Sequence, residues 1–133
     1  MNLSYRIQKP VAFVLDYLTD MQKFVSIHPV ITKMDNLGNN NYMVYETLRI
    51  GFIPISFTYP VTVTSDFINK VTIRATVMKL SKIEMVFTLN TVNDFTQIEE
   101  TIHFKSPLPV KSIMQSIFKK QHGLLFQNME LMR

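Results

Sequence analysis

The stretch Pro107–Arg133, PLPVKSIMQSIFKKQHGLLFQNMELMR, decides how the rest of the chain is read. Turned at about 100° per residue, it gathers Val110, Ile113, Met114, Ile117, Phe118, Leu124, Leu125, Leu131 and Met132 on one face. Lys111, Ser112, Gln115, Lys119, Glu130 and Arg133 fall opposite. Pro107 and Pro109 suit a helix start, where a preset φ helps and the missing N–H costs nothing. A helix over Pro109–Met132 is roughly 36 Å long at 1.5 Å per residue. A helix of this kind needs an apolar bed to be stable, and the preceding residues supply one.

Those residues change period. After a short strand at Asn2–Gln8, Pro10 opens a helix in which Val11, Val14, Leu15 and Leu18 keep helical spacing. Asp20 caps a second helix, Met21–Ile27, which ends before His28-Pro29 because a residue preceding proline is pushed out of helical space. From Val30 the alternation is twofold: Val30–Asp35, Tyr42–Ile50, Ile53–Thr64, Val71–Met78, Ile83–Asn90 and Phe95–Lys105 read as strands. Pro54 and Pro60 mark a bulge or an edge in the third of these, since proline cannot donate to a ladder. Short turns between consecutive strands make an antiparallel meander. The expectation is an α+β fold: one domain over residues 1–133, with a curved seven-stranded antiparallel sheet and two short helices after the first strand. The long C-terminal helix packs over the concave face and encloses a hydrophobic cavity.

Composition limits the function classes. Hydrophobic residues are 47% and charged residues 18%, against a usual charged share of roughly 25%. Without cysteine there is no disulfide, thiol nucleophile or cysteine metal site. The net charge of +4 is scattered, with Lys119-Lys120 the one adjacent basic pair; a nucleic-acid partner would need a clustered stripe. The N-terminal residues hold no apolar run long enough for a leader or membrane span, so a soluble cytoplasmic protein without stable membrane insertion is expected. The three histidines show no zinc-like spacing, and three glycines leave no phosphate loop. No metal or cofactor is therefore expected.

Two amides interrupt the helix stripe. Gln121 and Asn128, seven apart, either bond backbone groups and buried water or orient a mostly apolar ligand. Glu46 and Glu100 interrupt apolar strand faces. Each is either a rim group paired with a cation such as Arg49, Arg74 or Lys105, or a buried carboxyl with a raised pKa able to act as general acid or base. Arg74 is read as outward and solvated, or else as an anion-binding guanidinium in the cavity. His28 is read as a helix-end residue, His103 as outward, and His122 as lying beside the stripe. Tyr42, Tyr45 and Tyr59 are core residues or pocket lining with a polar handle.

Several local patterns carry a resemblance: Pro10-Val11 through Phe13-Val14 to Tyr17-Leu18-Thr19-Asp20, then Phe24 and His28-Pro29, Tyr42 to Tyr45-Glu46, Pro54-Ile55-Ser56-Phe57, and Phe104 to Pro107 before the final helix. With these, nearly the whole chain resembles the START and pollen-allergen-like (SRPBCC) superfamily of helix-grip proteins, closest to its polyketide cyclase/dehydrase-like and lipid-transport-like branch. The resemblance implies a small hydrophobic ligand, such as a lipid, polyketide or quinone, held between sheet and helix. Candidate contacts are Gln121, Asn128 and Glu46, with apolar lining from Phe57, Met85, Phe87, Met114, Ile117, Phe118, Leu124 and Leu125. Two alternatives stand beside a binding or transport role. One is a cyclase/dehydrase-like enzyme using Glu46 or Glu100. The other is a cochaperone-like interaction module, for which Phe126 on the outer side of the helix would be the exposed anchor.

Overall fold

The computed structural model describes the backbone of residues 1–133 and every side chain except that of Ile50. Its elements run β1 (Asn2–Ile7), α1 (Val11–Thr19), α2 (Met21–Ile27), β2 (Ile31–Gly38), β3 (Asn41–Ile50), β4 (Ile53–Ser65), β5 (Lys70–Val77), β6 (Ser81–Val92), β7 (Phe95–Lys105) and α3 (Lys111–Leu131). All seven strands form one antiparallel sheet in the order β1-β7-β6-β5-β4-β3-β2. The meander from β2 to β7 follows from its short turns. The first strand returns to pair with the last, Asn2 opposite Thr101 and Ile7 opposite Thr96.

Alternation sorts the sheet into two faces. Val71, Ile73 and Ala75 of β5, Ile83, Phe87 and Leu89 of β6, and Ile98 and Ile102 of β7 are buried on one side. Arg74, His103 and Lys105 are exposed on the other. The helices cover the apolar side. Val14, Tyr17 and Leu18 of α1 and Met21, Phe24 and Ile27 of α2 are buried there. Each such side chain contributes about 1.5–3 kcal/mol through lost apolar exposure. The Asp20 side chain accepts from the N–H groups of Gln22 and Lys23 at 3.1 and 3.2 Å, capping α2. It thereby satisfies two donors that the helix leaves unpaired.

Three expectations need correction. The prolines do not open α3: the helix begins at Lys111, with Val110 at its N-cap, and Pro107 and Pro109 lie in the connection before it. The buried face of α3 is Phe118, His122, Leu125, Phe126 and Met129, about a quarter-turn from the stripe read in the sequence. Ile113, Leu124 and Leu131 are instead exposed, and Phe126, expected outside, is 1% exposed. Tyr5 and Phe87 hold it there, with ring centroids at 4.7 and 6.0 Å. In the first turns of α3 the side chains of Met114 and Ile117 are only half-buried, and that of Ile113 is exposed. The burial of Phe126 leaves the cochaperone-like reading without its anchor.

Of the two readings of Pro54 and Pro60, a bulge or an edge, the structure gives the edge, although β4 is not an outer strand of the sheet. Residues 53–62 of β4 pair with β3, but pairing with β5 begins only at Val61, opposite Ala75. The β3–β4 hairpin therefore projects past the end of β5. Its prolines sit where one side of β4 has no neighbour to receive an N–H.

Candidate functional site

A cavity of about 650 Å³ lies between the sheet, α2 and α3. Most of its wall is apolar: Met21 and Phe24 from α2, Val61, Val63, Ile73 and Phe87 from the sheet floor, and Met114, Ile117, Phe118 and Leu125 from α3. Seven polar residues break that wall: His28, Glu46, Tyr59, Gln121 and His122 within it, and Ser56 and Ser81 toward its open end. A concave apolar site with a few converging polar groups is the usual form of a small-molecule pocket.

Each polar group is held by its element. Glu46 and Tyr59 face inward from β3 and β4, one register step apart, since Glu46 is opposite Phe57 and Val44 opposite Tyr59. The Tyr59 hydroxyl donates to Glu46 Oε1 at 2.6 Å. Burial raises the Glu46 pKa, while the Tyr59 hydrogen bond and the nearby His122 partly offset the rise. Burial, then the neighbouring carboxylate, push the Tyr59 hydroxyl up as well, keeping it a donor.

His28 sits at the C-terminal cap of α2, where Pro29 forces the chain to turn. Its Nδ1 accepts from the N–H groups of Val30 and Ile31 at 3.2 and 3.1 Å, so that nitrogen carries no proton. Burial, with a smaller contribution from His122, lowers its pKa to about 3. A neutral imidazole thus presents Nε2–H.

His122 lies across the cavity against Glu100 of β7. Glu100 is 1% exposed and His122 5%. His122 Nδ1 is 2.8 Å from Glu100 Oε1 and 2.6 Å from Oε2. Oε1 makes the hydrogen bond; Oε2, although nearer, is off its direction and has no hydrogen-bond partner among the described residues. The contact fixes the plane of the His122 ring against β7. The hydroxyl of Tyr5, on the strand next to β7, is likewise buried without a partner. Burial, then the Glu100 charge, raise its pKa.

Of the residues singled out in the sequence, Glu46, Phe57, Met85, Phe87, Met114, Ile117, Phe118, Gln121 and Leu125 line the cavity. Two lie elsewhere. Asn128 Nδ2 donates to the carbonyl of Ile27 at 2.9 Å, tying α3 to the open end of α2, and Leu124 is 39% exposed. Glu100 reaches the site only through His122. Arg74 is outward and pairs with Glu84 at 2.8 Å. Tyr42 is off the cavity wall, and Tyr45 donates to Asp35 at 2.9 Å. Among the described residues no three His, Asp or Glu side chains converge as metal ligands.

Sequence reasoning gave His28 and His122 no part in the site. The signal for His122 was present. It lies four residues after Phe118 and three before Leu125, on the line of deepest burial, and Glu100 was a carboxylate on an apolar strand face in want of a partner. No such signal marked His28, whose role depends on where α2 ends relative to β3.

No protein-family model matches the sequence, and no curated protein sequence does. Solved structures do match in shape. A conserved protein from Geobacillus kaustophilus is 17% identical, superposes with a TM-score of 0.81, and covers 97% of this chain and 91% of its own. A START superfamily protein from Mycobacterium smegmatis gives 0.74 at 13% identity, over 98% and 93%. An aromatase/cyclase from a Streptomyces species gives 0.72 at 12% identity, over 98% and 90%. No helix is long and apolar enough to cross a membrane. The chain has the helix-grip fold of the START and pollen-allergen-like superfamily.

Proposed function

We propose that the protein binds a small, mostly apolar molecule bearing a hydroxyl or carbonyl group in the cavity between sheet and α3. The observation that carries this reading is the cavity wall itself: apolar nearly throughout, with the Glu46–Tyr59 pair, Gln121 and two imidazoles facing one space. Burying an apolar ligand there gains about 25 cal/mol per Å². The polar groups would fix its orientation, because a ligand that left them unpaired would forfeit hydrogen bonds. Lipids, quinones and polyketides of the right length are the classes that fit. The chain's likeness to a START superfamily protein and an aromatase/cyclase is consistent with such a cargo.

Native mass spectrometry of purified protein, before and after incubation with mixed lipids and quinones, tests it. A stoichiometric passenger is expected, and Met85→Trp, which fills the cavity from the sheet, should expel it without unfolding the chain. A bare mass under all conditions, or a passenger indifferent to Met85→Trp, overturns the reading.

A second reading, proton transfer on the same ligand, is favoured by one feature. Glu100 is buried at a cost unless used, and it fixes the His122 ring against the cavity. His122 would then be the acid or base, and Glu100 its positioning residue. Glu100→Gln would abolish turnover yet keep the passenger.

A further inference from the structure

The cavity opens at one end of the sheet. Of its wall residues, the exposed ones are Ile55, Ser56, Met78, Leu108 and Ile113. They come from the β3–β4 hairpin, the β5–β6 turn and the β7–α3 connection, which lie at the same end because the strands alternate in direction. Around this mouth stand further large apolar side chains in water: Phe52 is 98% exposed and Leu80 54%. Monomeric soluble proteins rarely leave such a contiguous patch without a use.

Charge follows the same division. Residues 48–55, 77–82 and 104–113, which form the mouth, contain Arg49, Lys79, Lys82, Lys105 and Lys111 and no carboxylate. The turns at the opposite end also expose apolar residues, Leu37, Phe67 and Ile68. Those turns, however, contain Asp66 and Asp94, and the cavity does not open there.

Two details at the mouth run against folding stability. Lys82 and Lys105 are direct cross-strand partners, and like charges so placed repel. Neither has a carboxylate within ion-pair distance among the described residues. They line, with Lys111 and the Arg74–Glu84 ion pair, a second recess of about 660 Å³ that shares Ile83, Phe104 and Met114 with the cavity wall and carries a net positive charge. The turn beside them holds Met78 and Lys79 at φ of 55° and 60°, a conformation better served by Asn-Gly. An anionic surface that took up the cations would relieve the repulsion, and an apolar one would cover Met78, which the turn holds 77% exposed.

We propose that the mouth is a docking surface for an anionic lipid bilayer. The tips of the β3–β4 hairpin, the β5–β6 turn and the β7–α3 connection enter the headgroup region, and Lys82, Lys105 and Lys111 face lipid phosphates. The projecting β3–β4 hairpin gives Phe52 reach beyond the other tips. Docked this way, the cavity opens toward the acyl region, so a hydrophobic cargo passes between bilayer and cavity without crossing water. This surface deepens the binding reading above, but its test is separate.

The test is flotation with vesicles of phosphatidylcholine alone and of phosphatidylcholine with phosphatidylglycerol, alongside binding of anilinonaphthalene sulfonate as the cavity probe. Binding to the anionic vesicles, lost at high salt, is expected. Phe52→Ser with Leu80→Ser should lower the partition coefficient at least tenfold. Lys82→Glu with Lys105→Glu should do so by tenfold or more, since each cation near an anionic surface is worth about fivefold. Phe67→Ser with Ile68→Ser, at the far end, should leave it unchanged. These positions are exposed, and a thermal melt verifies that each variant folds. No vesicle binding by a protein that still binds the dye overturns the surface and spares the cavity. Vesicle binding without dye binding upholds the surface and counts against the cavity. Mouth variants that leave flotation unchanged but dissolve a dimer would give the surface to a second copy and overturn the proposal.

Discussion

Acid should destabilise this protein at one residue in particular, His28. Its pKa falls from 6.5 to about 3 on folding, chiefly because the ring is buried and secondarily because His122 is near. The folded state therefore binds fewer protons than the unfolded state between those two values. His28 contributes full stability above 6.5, and that contribution disappears as pH falls through the folded pKa. At about 1.36 kcal/mol per unit, the part lost by roughly pH 4 is about 3 kcal/mol. A domain of this size holds about 5–15 kcal/mol in all. The structural cause is specific, since a proton on Nδ1 would displace the N–H groups of Val30 and Ile31. His28→Asn keeps an acceptor at this helix end but does not titrate. Urea unfolding of both proteins at neutral pH and near pH 4 should show a larger loss of stability in the wild type than in the variant, by about 3 kcal/mol. Glu46, whose raised pKa acts in the opposite direction, is present in both and drops out of the difference. Parallel pH dependences in wild type and variant would refute the argument.

Other perturbations separate the roles of neighbouring groups. Gln121→Leu should change the affinity for a cavity probe and leave the melting temperature nearly unmoved. Asn128→Leu should do the reverse, at about 1–3 kcal/mol for the stranded Ile27 carbonyl, read by urea titration with and without probe. Phe126→Ala should cost about 3–5 kcal/mol, whereas the same change at exposed Phe52 should stay within about 0.5 kcal/mol. Asp20→Ala should lose about 1 kcal/mol by removing the cap of α2, detectable as a lowered denaturation midpoint.

Much of the architecture was legible in the sequence because local physics wrote it there. Proline, the Asp20 cap and the His28-Pro29 stop delimit α2 at the residues observed, and twofold alternation gives β7 from Phe95 to Lys105. Alternation also turns Glu46 and Glu100 inward. The rotation of α3 was not legible, because Ile113, Met114 and Ile117 in its first turns centre on a different face from Leu125, Phe126 and Met129, which are buried in its second half. Nor was the partnership of Glu100 with His122. Twenty-two residues and a change of element separate them, and the polar character of His122 argued against the buried position it holds. Asn128 shows the converse: the same seven-residue spacing that aligned it with Gln121 carried it past the end of the cavity onto α2.

The pairing of β1 with β7 fixes when the sheet can be completed. As the chain leaves the ribosome, β2 to β6 can zip into consecutive hairpins, each next to its predecessor. Asn2–Ile7 has no partner until Phe95–Lys105 has emerged. A loop of this length closes late, and topologies of high contact order fold slowly. During that interval the apolar residues Leu3, Tyr5 and Ile7 and the unpaired edge of β7 are open to other nascent chains. α3 follows immediately, and its Phe126 closes over Tyr5 as the final layer. Slowing synthesis between β6 and α3 should therefore raise aggregation more than slowing it anywhere earlier.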